Sequence, residues 1–78
     1  DGGTARLAVI VRDVPGALGT VAGLLGAKGA NIVNLNLVHR DGSFHTFHLD
    51  VEVHDLAHLH AILASLRGND AVSSAERL

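Results

Sequence analysis

Two alternating stretches flank Asp41-Gly42-Ser43, and they commit the middle of this chain to an antiparallel hairpin. Before the turn Val33, Leu35 and Leu37 alternate with Asn34, Asn36 and Val38; after it Phe47, Leu49, Val51 and Val53 alternate with His48, Asp50 and Glu52. A period of two belongs to a strand, whose successive side chains point to opposite faces, and Asp-Gly-Ser is turn chemistry. A three-residue loop sets Leu37 opposite Phe47, Leu35 opposite Leu49 and Val33 opposite Val51, so one face is apolar throughout. A two-residue loop would set each of them against a polar residue, because a one-residue slip sends a whole face the wrong way. The three-residue loop is therefore expected, with Gly42 or Ser43 left-handed or bulged. Ile32 is out of phase with the stripe and either starts the strand or sits at a bulge.

The flanking segments complete the order. Arg6 to Arg12 is a short, nearly continuous apolar run, as in a central strand. From Gly16 to Lys28 the residues Leu18, Val21, Ala22 and Leu25 repeat at helical spacing, with Gly29 as the stop. Asp55 caps a second helix carrying Leu56, Leu59, Ile62, Leu63 and Leu66, stopped by Gly68, and Ala71 to Leu78 reads as a last strand. The order is βαββαβ. With right-handed crossovers it gives an α+β, ferredoxin-like sandwich: a four-stranded antiparallel sheet of order 4-1-3-2 with two helices on one face. Residues 1–5, Asp-Gly-Gly-Thr-Ala, read as a linker or terminal edge, and residues 6–78 as one domain of a larger protein.

Composition narrows function. A 78-residue chain with two Phe and no Trp, Tyr or Met must build its core from Leu, Val, Ile and Ala. A domain of this size buries only ~60% of the surface its unfolded chain exposes, and a partner surface would relieve that. A net charge of -2 with scattered Lys and Arg argues against a nucleic-acid surface. Thr46, His48, Asp50 and Glu52 on the open face of the third strand are not the stacking aromatics of an RNA-recognition sheet. Zero Cys removes disulfides and thiolate chemistry and is compatible with a cytoplasmic setting. No apolar run approaches the ~20 residues of a membrane span. No phosphate loop appears, and no nucleophile sits beside a His and a carboxylate, so neither a cofactor nor catalysis is expected in this chain.

The candidate site is Asp13-Val14-Pro15-Gly16-Ala17-Leu18. Pro15 is shaped for a first helical turn, and the amides of Gly16, Ala17 and Leu18 would point out of a helix N-terminus, where the dipole favours an anion. Asp13 either receives a ligand ammonium or caps the helix; with Pro15 at the first helical position, Val14 and not Asp13 would be the cap residue. Asn31 either closes the same pocket or tolerates the tight turn after Gly29. Gly19, Gly23 and Gly26 form a smooth stripe with Gly16 and Thr20, open to a ligand or second backbone, or else packed on the sheet or second helix. The six His include His39 and His45, opposite each other in the expected register, and a cluster of His54, Asp55 and His58. Two His with a carboxylate would suit zinc or nickel. His58 and His60 point to different helix faces, however, and no ligand spacing appears, so no metal site is expected.

The Asp-x-Pro-Gly turn followed by Gly29-Ala30-Asn31-Ile32 resembles the ACT domain, a regulatory amino-acid-binding module. Asp50-Val51-Glu52-Val53-His54-Asp55-Leu56-Ala57-His58-Leu59, Ile62 to Arg67, and the ending Val72 to Leu78 look like the C-terminal ACT domain of RelA/SpoT-type (p)ppGpp synthetase/hydrolases. The resemblance implies a cytoplasmic stringent-response sensor whose parent, a GTP pyrophosphokinase, transfers pyrophosphate from ATP to GTP or GDP on other domains. It also implies side-by-side pairing, with ligand held between the first turn of one copy (Asp13, Val14, Pro15, Gly16, Ala17, Leu18) and Asn31, Ile32 and Val33 of the next. The aliphatic lining of Val14, Leu18 and Ile32 favours valine, isoleucine or leucine. The second strand is a sheet edge without Pro or internal charge, and two such edges would pair into a homodimer. Two alternatives stand beside this: a ligand-free docking domain facing the ribosome or the parent's catalytic half, and a His-based metal sensor.

Overall fold

The computed structural model describes residues 2–78. Its elements are β1 (Gly3–Arg12), α1 (Ala17–Ala27), β2 (Asn31–Arg40), β3 (Phe44–Val53), α2 (Leu56–Arg67) and β4 (Val72–Arg77). The strands form one four-stranded sheet of order β2-β3-β1-β4 in which each neighbouring pair is antiparallel. This is the expected ferredoxin-like topology. Gly3, Thr4 and Ala5, expected as a linker edge, are strand residues, and Ala5 is buried. Asp1 lies outside the described residues.

One face of the sheet carries the core. Leu7, Val9 and Val11 of β1 meet Phe47, Leu49 and Val51 of β3 and Val72 and Ala75 of β4. Val21 and Leu25 of α1 and Leu59, Ile62 and Leu66 of α2 close over them. Among the described residues no polar or charged side chain is fully buried, as expected of a core of small aliphatics.

The helix ends follow local chemistry. At the end of α1, Gly29 takes φ +70°, its N–H bonds the Gly26 carbonyl at 3.0 Å, and the Ala30 N–H bonds the Leu25 carbonyl at 2.9 Å. This paired closure needs a residue free to adopt the left-handed region, so Gly29 stops the helix as expected. The Asp55 side chain accepts the His58 N–H at 2.8 Å and caps α2.

The hairpin register holds in its middle and departs at both ends. Leu37 faces Phe47 and Leu35 faces Leu49, but Ile32, not Val33, faces Val51. Val33 is the inserted residue of a bulge, and Val38 marks a second one near the turn. The first bulge returns Ile32 to phase with the stripe. The second replaces the expected His39–His45 opposition with His39 against Thr46 and Arg40 against His45. Among the described residues positive φ is confined to Gly16 and Gly29, so neither Gly42 nor Ser43 is left-handed. Asp41 shapes the turn instead, its Oδ1 accepting the N–H groups of Ser43 and Phe44, both at 2.8 Å.

Candidate functional site

Val14, Pro15, Gly16 and Ala17 form a tight turn between β1 and α1, closed by the Ala17 N–H on the Val14 carbonyl at 3.2 Å. Gly16 at φ 81°, ψ 0° fits the third position of a type II turn, with Pro15 before it, where the fixed proline φ belongs. Three sequence expectations change here. Pro15 lies in the turn and does not occupy the first helical position, because a left-handed Gly16 intervenes as the N-cap residue. Neither Val14 nor Asp13 caps the helix; no side chain does. The Ala17 amide is spent within the turn and does not point out freely.

What remains at the helix start is the donor pair of the second and third helical residues. Among the described residues the N–H groups of Leu18 and Gly19 find no acceptor. They lie at the positive end of α1, where a carboxylate is favoured. Val14 and Leu18 leave 41% and 37% of their surface exposed at the rim, an aliphatic margin around a polar centre.

The turn is anchored from below. The Asp13 N–H bonds the Ser43 carbonyl at 2.8 Å, tying it to the β2–β3 hairpin, and the Val14 N–H bonds the Arg12 carbonyl at 2.9 Å. The Asp13 carboxylate, 43% exposed, lies 3.4 Å from Nε2 of His45. His45 is not among the site residues expected from sequence, because the expected register sets it opposite His39 on the hairpin. The signal was present: His45 continues the period-two stripe of Phe47, Leu49 and Val51, and it pairs with core-facing Val11, which brings it beneath the turn.

Asn31, Ile32 and Val33 lie elsewhere. The turn sits beside Ser43, at the start of β3, whereas Asn31 pairs with Glu52 near its end. The two predicted halves of the site are therefore at opposite ends of the sheet within one chain. Asn31 donates its side-chain amide to Glu52 at 2.7 Å, Ile32 is half-buried against the core, and Val33 is 50% exposed. A concavity of about 460 Å³, lined by residues including Thr4, Gly29, Asn31, Glu52 and His54, occupies this second end and includes none of the Asp13–Leu18 turn.

Two surfaces remain. A side chain grown at Gly19, Gly23 or Gly26 would meet nothing within 4 Å, so this stripe of α1 faces open space and is not packed on the sheet or α2. On β2, Leu35 and Leu37 lie opposite buried residues of β3 yet are 39% and 48% exposed, and Val38 is 48% exposed. Among the described residues no three His, Cys, Asp or Glu side chains gather as a metal site would require. Nor, among the described residues, is any helix long and apolar enough to cross a membrane.

Comparison with known proteins agrees with this architecture. A family model described as the ACT domain matches residues 4–77. The chain is 40% identical over 74 residues to the GTP pyrophosphokinase rsh of Brucella ovis, covering 95% of this chain and 10% of that protein. It is 39% identical over 74 residues to the same enzyme of Brucella abortus, again covering 95% and 10%. The chain thus spans about a tenth of the length of the curated relatives it matches. Among solved structures, the ACT domain from GTP pyrophosphokinase of Chlorobium tepidum superposes with TM-score 0.84 at 23% identity, covering 100% of both chains. The acetolactate synthase small subunit from Thermotoga maritima superposes with TM-score 0.82 at 17% identity, over 96% of this chain and 47% of that one.

Proposed function

The chain belongs to the ACT domain family, and we propose that it is the amino-acid-sensing domain of a RelA/SpoT-type GTP pyrophosphokinase, binding valine, isoleucine or leucine between two copies. The observation that carries this reading is the uncapped start of α1: two open amides with the Asp13 carboxylate before them and an aliphatic rim around them. A free amino acid is complementary at every point. Its carboxylate takes the Leu18 and Gly19 N–H groups, its ammonium takes Asp13, and a branched side chain rests on Val14 and Leu18. A charged side chain would find no partner there.

The second half comes from a neighbouring copy. Two β2 edges paired antiparallel bring the Asn31 end of one strand beside the first turn of the other. Asn31, Ile32 and Val33 of the second copy then close the pocket, and the two sheets continue as one. The exposed apolar residues Val33, Leu35, Leu37 and Val38 supply the surface such an edge contact would bury. The domain then acts in the cytoplasm, converting amino-acid supply into a change in (p)ppGpp synthesis or hydrolysis by the parent.

The same exposed strand also favours a second reading, a ligand-free domain that docks on the parent's catalytic half or the ribosome. Titration separates the two. Valine at one hundred times its dissociation constant stabilises a folded state that alone binds it by ~2.7 kcal/mol, a melting shift on the order of 10 °C for a domain of this size. Asp13→Ala abolishes most of that shift, and light scattering reports the dimer. A melting curve unmoved by millimolar valine, isoleucine and leucine favours docking.

A further inference from the structure

His45 has a buried Nε2 with no hydrogen-bond partner, an unusual state for an imidazole nitrogen. Oδ1 of Asp13 lies 3.4 Å from it, just beyond the usual N–H···O range. A small approach would close that contact, and a positive imidazolium would draw the carboxylate in. The ring is held in place to do this. Val11 of β1 and Arg40 of β2 flank it across the sheet, and Phe47 meets it edge to face with ring centroids 6.3 Å apart.

We propose that His45 is a positioning residue of the amino-acid site: Nε2–H orients the Asp13 carboxylate, and protonation of the ring turns that carboxylate from the ligand ammonium toward His45. This rests on the reading that Asp13 receives the ammonium. The consequence is a site that binds its amino acid more weakly in acid. Asp13 carries one negative charge, and an imidazolium beside it both satisfies that charge and repels the incoming cation.

The other charged groups near the ring are few. Asp41 at the hairpin turn feels both His39 and His45, Arg40 pairs with His45 across the ladder, and Arg12 ends the adjacent strand. Helix α1, which follows the Asp13 turn, carries no titratable residue. The Asp41 Oδ1 is engaged by two backbone N–H groups of its own turn, and the carboxylate that lies against Nε2, at 3.4 Å, is that of Asp13.

The test measures valine affinity by calorimetry at about pH 8 and pH 5.5, values that bracket the ordinary imidazole range near 6.5. The expected result for the parent is a fall of about fivefold or more in acid, the low end for coupled sites. His45→Gln keeps an N–H donor but does not titrate, and it should bind at pH 8 much as the parent does and lose the acid dependence. His45→Phe keeps the packing without the donor and should bind weakly at both values. An unliganded measurement stands beside these: at pH 8 the imidazole nitrogen NMR shifts of His45 should move in Asp13→Ala, which removes the carboxylate facing Nε2. Valine binding that is independent of pH, an acid loss that persists in His45→Gln, or His45 ring-nitrogen shifts unmoved by Asp13→Ala each overturns the inference while leaving amino-acid sensing intact. Absence of valine binding to the parent at both pH values overturns the sensing reading and the inference with it.

Discussion

Arg6 on β1 and Asp50 on β3 close a two-pronged ion pair across the sheet, Nε to Oδ1 at 2.8 Å and Nη2 to Oδ2 at 3.1 Å. They are direct cross-strand partners, and Asn34 of β2 adds its amide to Oδ2 at 3.4 Å. Three adjacent strands are thus laced together on the face that the helices leave open. Fork-to-fork geometry of this kind is the strong form of an ion pair, although both partners stay in contact with solvent.

The pair sets a direction for acid stability. The Arg6 hydrogen bonds hold the Asp50 carboxyl below the ordinary carboxylate range, with the Asn34 amide helping and desolvation opposing. Asp41 is lowered too, by the backbone N–H groups of Ser43 and Phe44. A carboxyl lowered by folding contributes stability that is present above its unfolded value, about 3.9 for Asp, and lost as pH falls through the folded value. Denaturant midpoints should therefore be level near neutrality and decline below about pH 4. Asp50→Asn should flatten part of that decline and Asp41→Asn another part. An Asp50→Asn midpoint that tracks the parent at a constant offset down to acid would show that this carboxylate does not carry the effect.

Two glycines of the same region should respond oppositely to alanine. Gly16 sits at φ 81° with open space around it, so the cost of Gly16→Ala is backbone strain alone, roughly 1–2 kcal/mol. Gly23 lies inside α1, equally unobstructed, and Gly23→Ala should stabilise by ~1 kcal/mol through helix propensity. Thermal melts should move by roughly 4–8 °C per kcal/mol, down for the first and up for the second. Equal shifts of one sign would contradict the turn geometry.

The βαββαβ order, the strand order, the Gly29 stop and the Asp55 cap were legible because each rests on local chemistry or on a period that a short window contains. Of the two bulges in β2, the first was signalled by Ile32 falling out of phase, though not the residue that is skipped, and the second was not signalled. Val33 and Val38 are apolar residues on an exposed edge, and no local pattern says which one the ladder will skip. That uncertainty propagated into the His39–His45 pairing and hid His45 from the site. The turn at Gly16 misled for a different reason: Pro-Gly serves equally well as a helix start and as a type II turn, and only the observed positive φ separates them. The separation of Asp13 from Asn31 follows from topology, which sets the two at opposite ends of the sheet within one chain.

His58 provides the last prediction. Its Nδ1 accepts the His54 N–H at 2.9 Å, its Nε2 lies 2.6 Å from the Lys28 carbonyl oxygen, and the His54 ring stacks on it with centroids 4.5 Å apart. An Nδ1 that accepts an N–H bears no proton, so the neutral ring carries its hydrogen on Nε2 and donates it to Lys28. The side chain thereby clips the end of α1 to the start of α2, directly before the segment that leads into Asn31. His58→Ala should leave a backbone donor and a carbonyl without this partner, costing about 1–3 kcal/mol, and Asp55→Ala should cost ~1 kcal/mol through the lost cap. The ring nitrogens offer a reading independent of stability. In the parent at neutral pH, imidazole nitrogen shifts should report a single Nε2–H tautomer for His58, while exposed His60 on the same helix should show the mixture of a free ring. If His58 shows the same mixture as His60, or if His58→Ala melts with the parent, the clip does not hold these elements together.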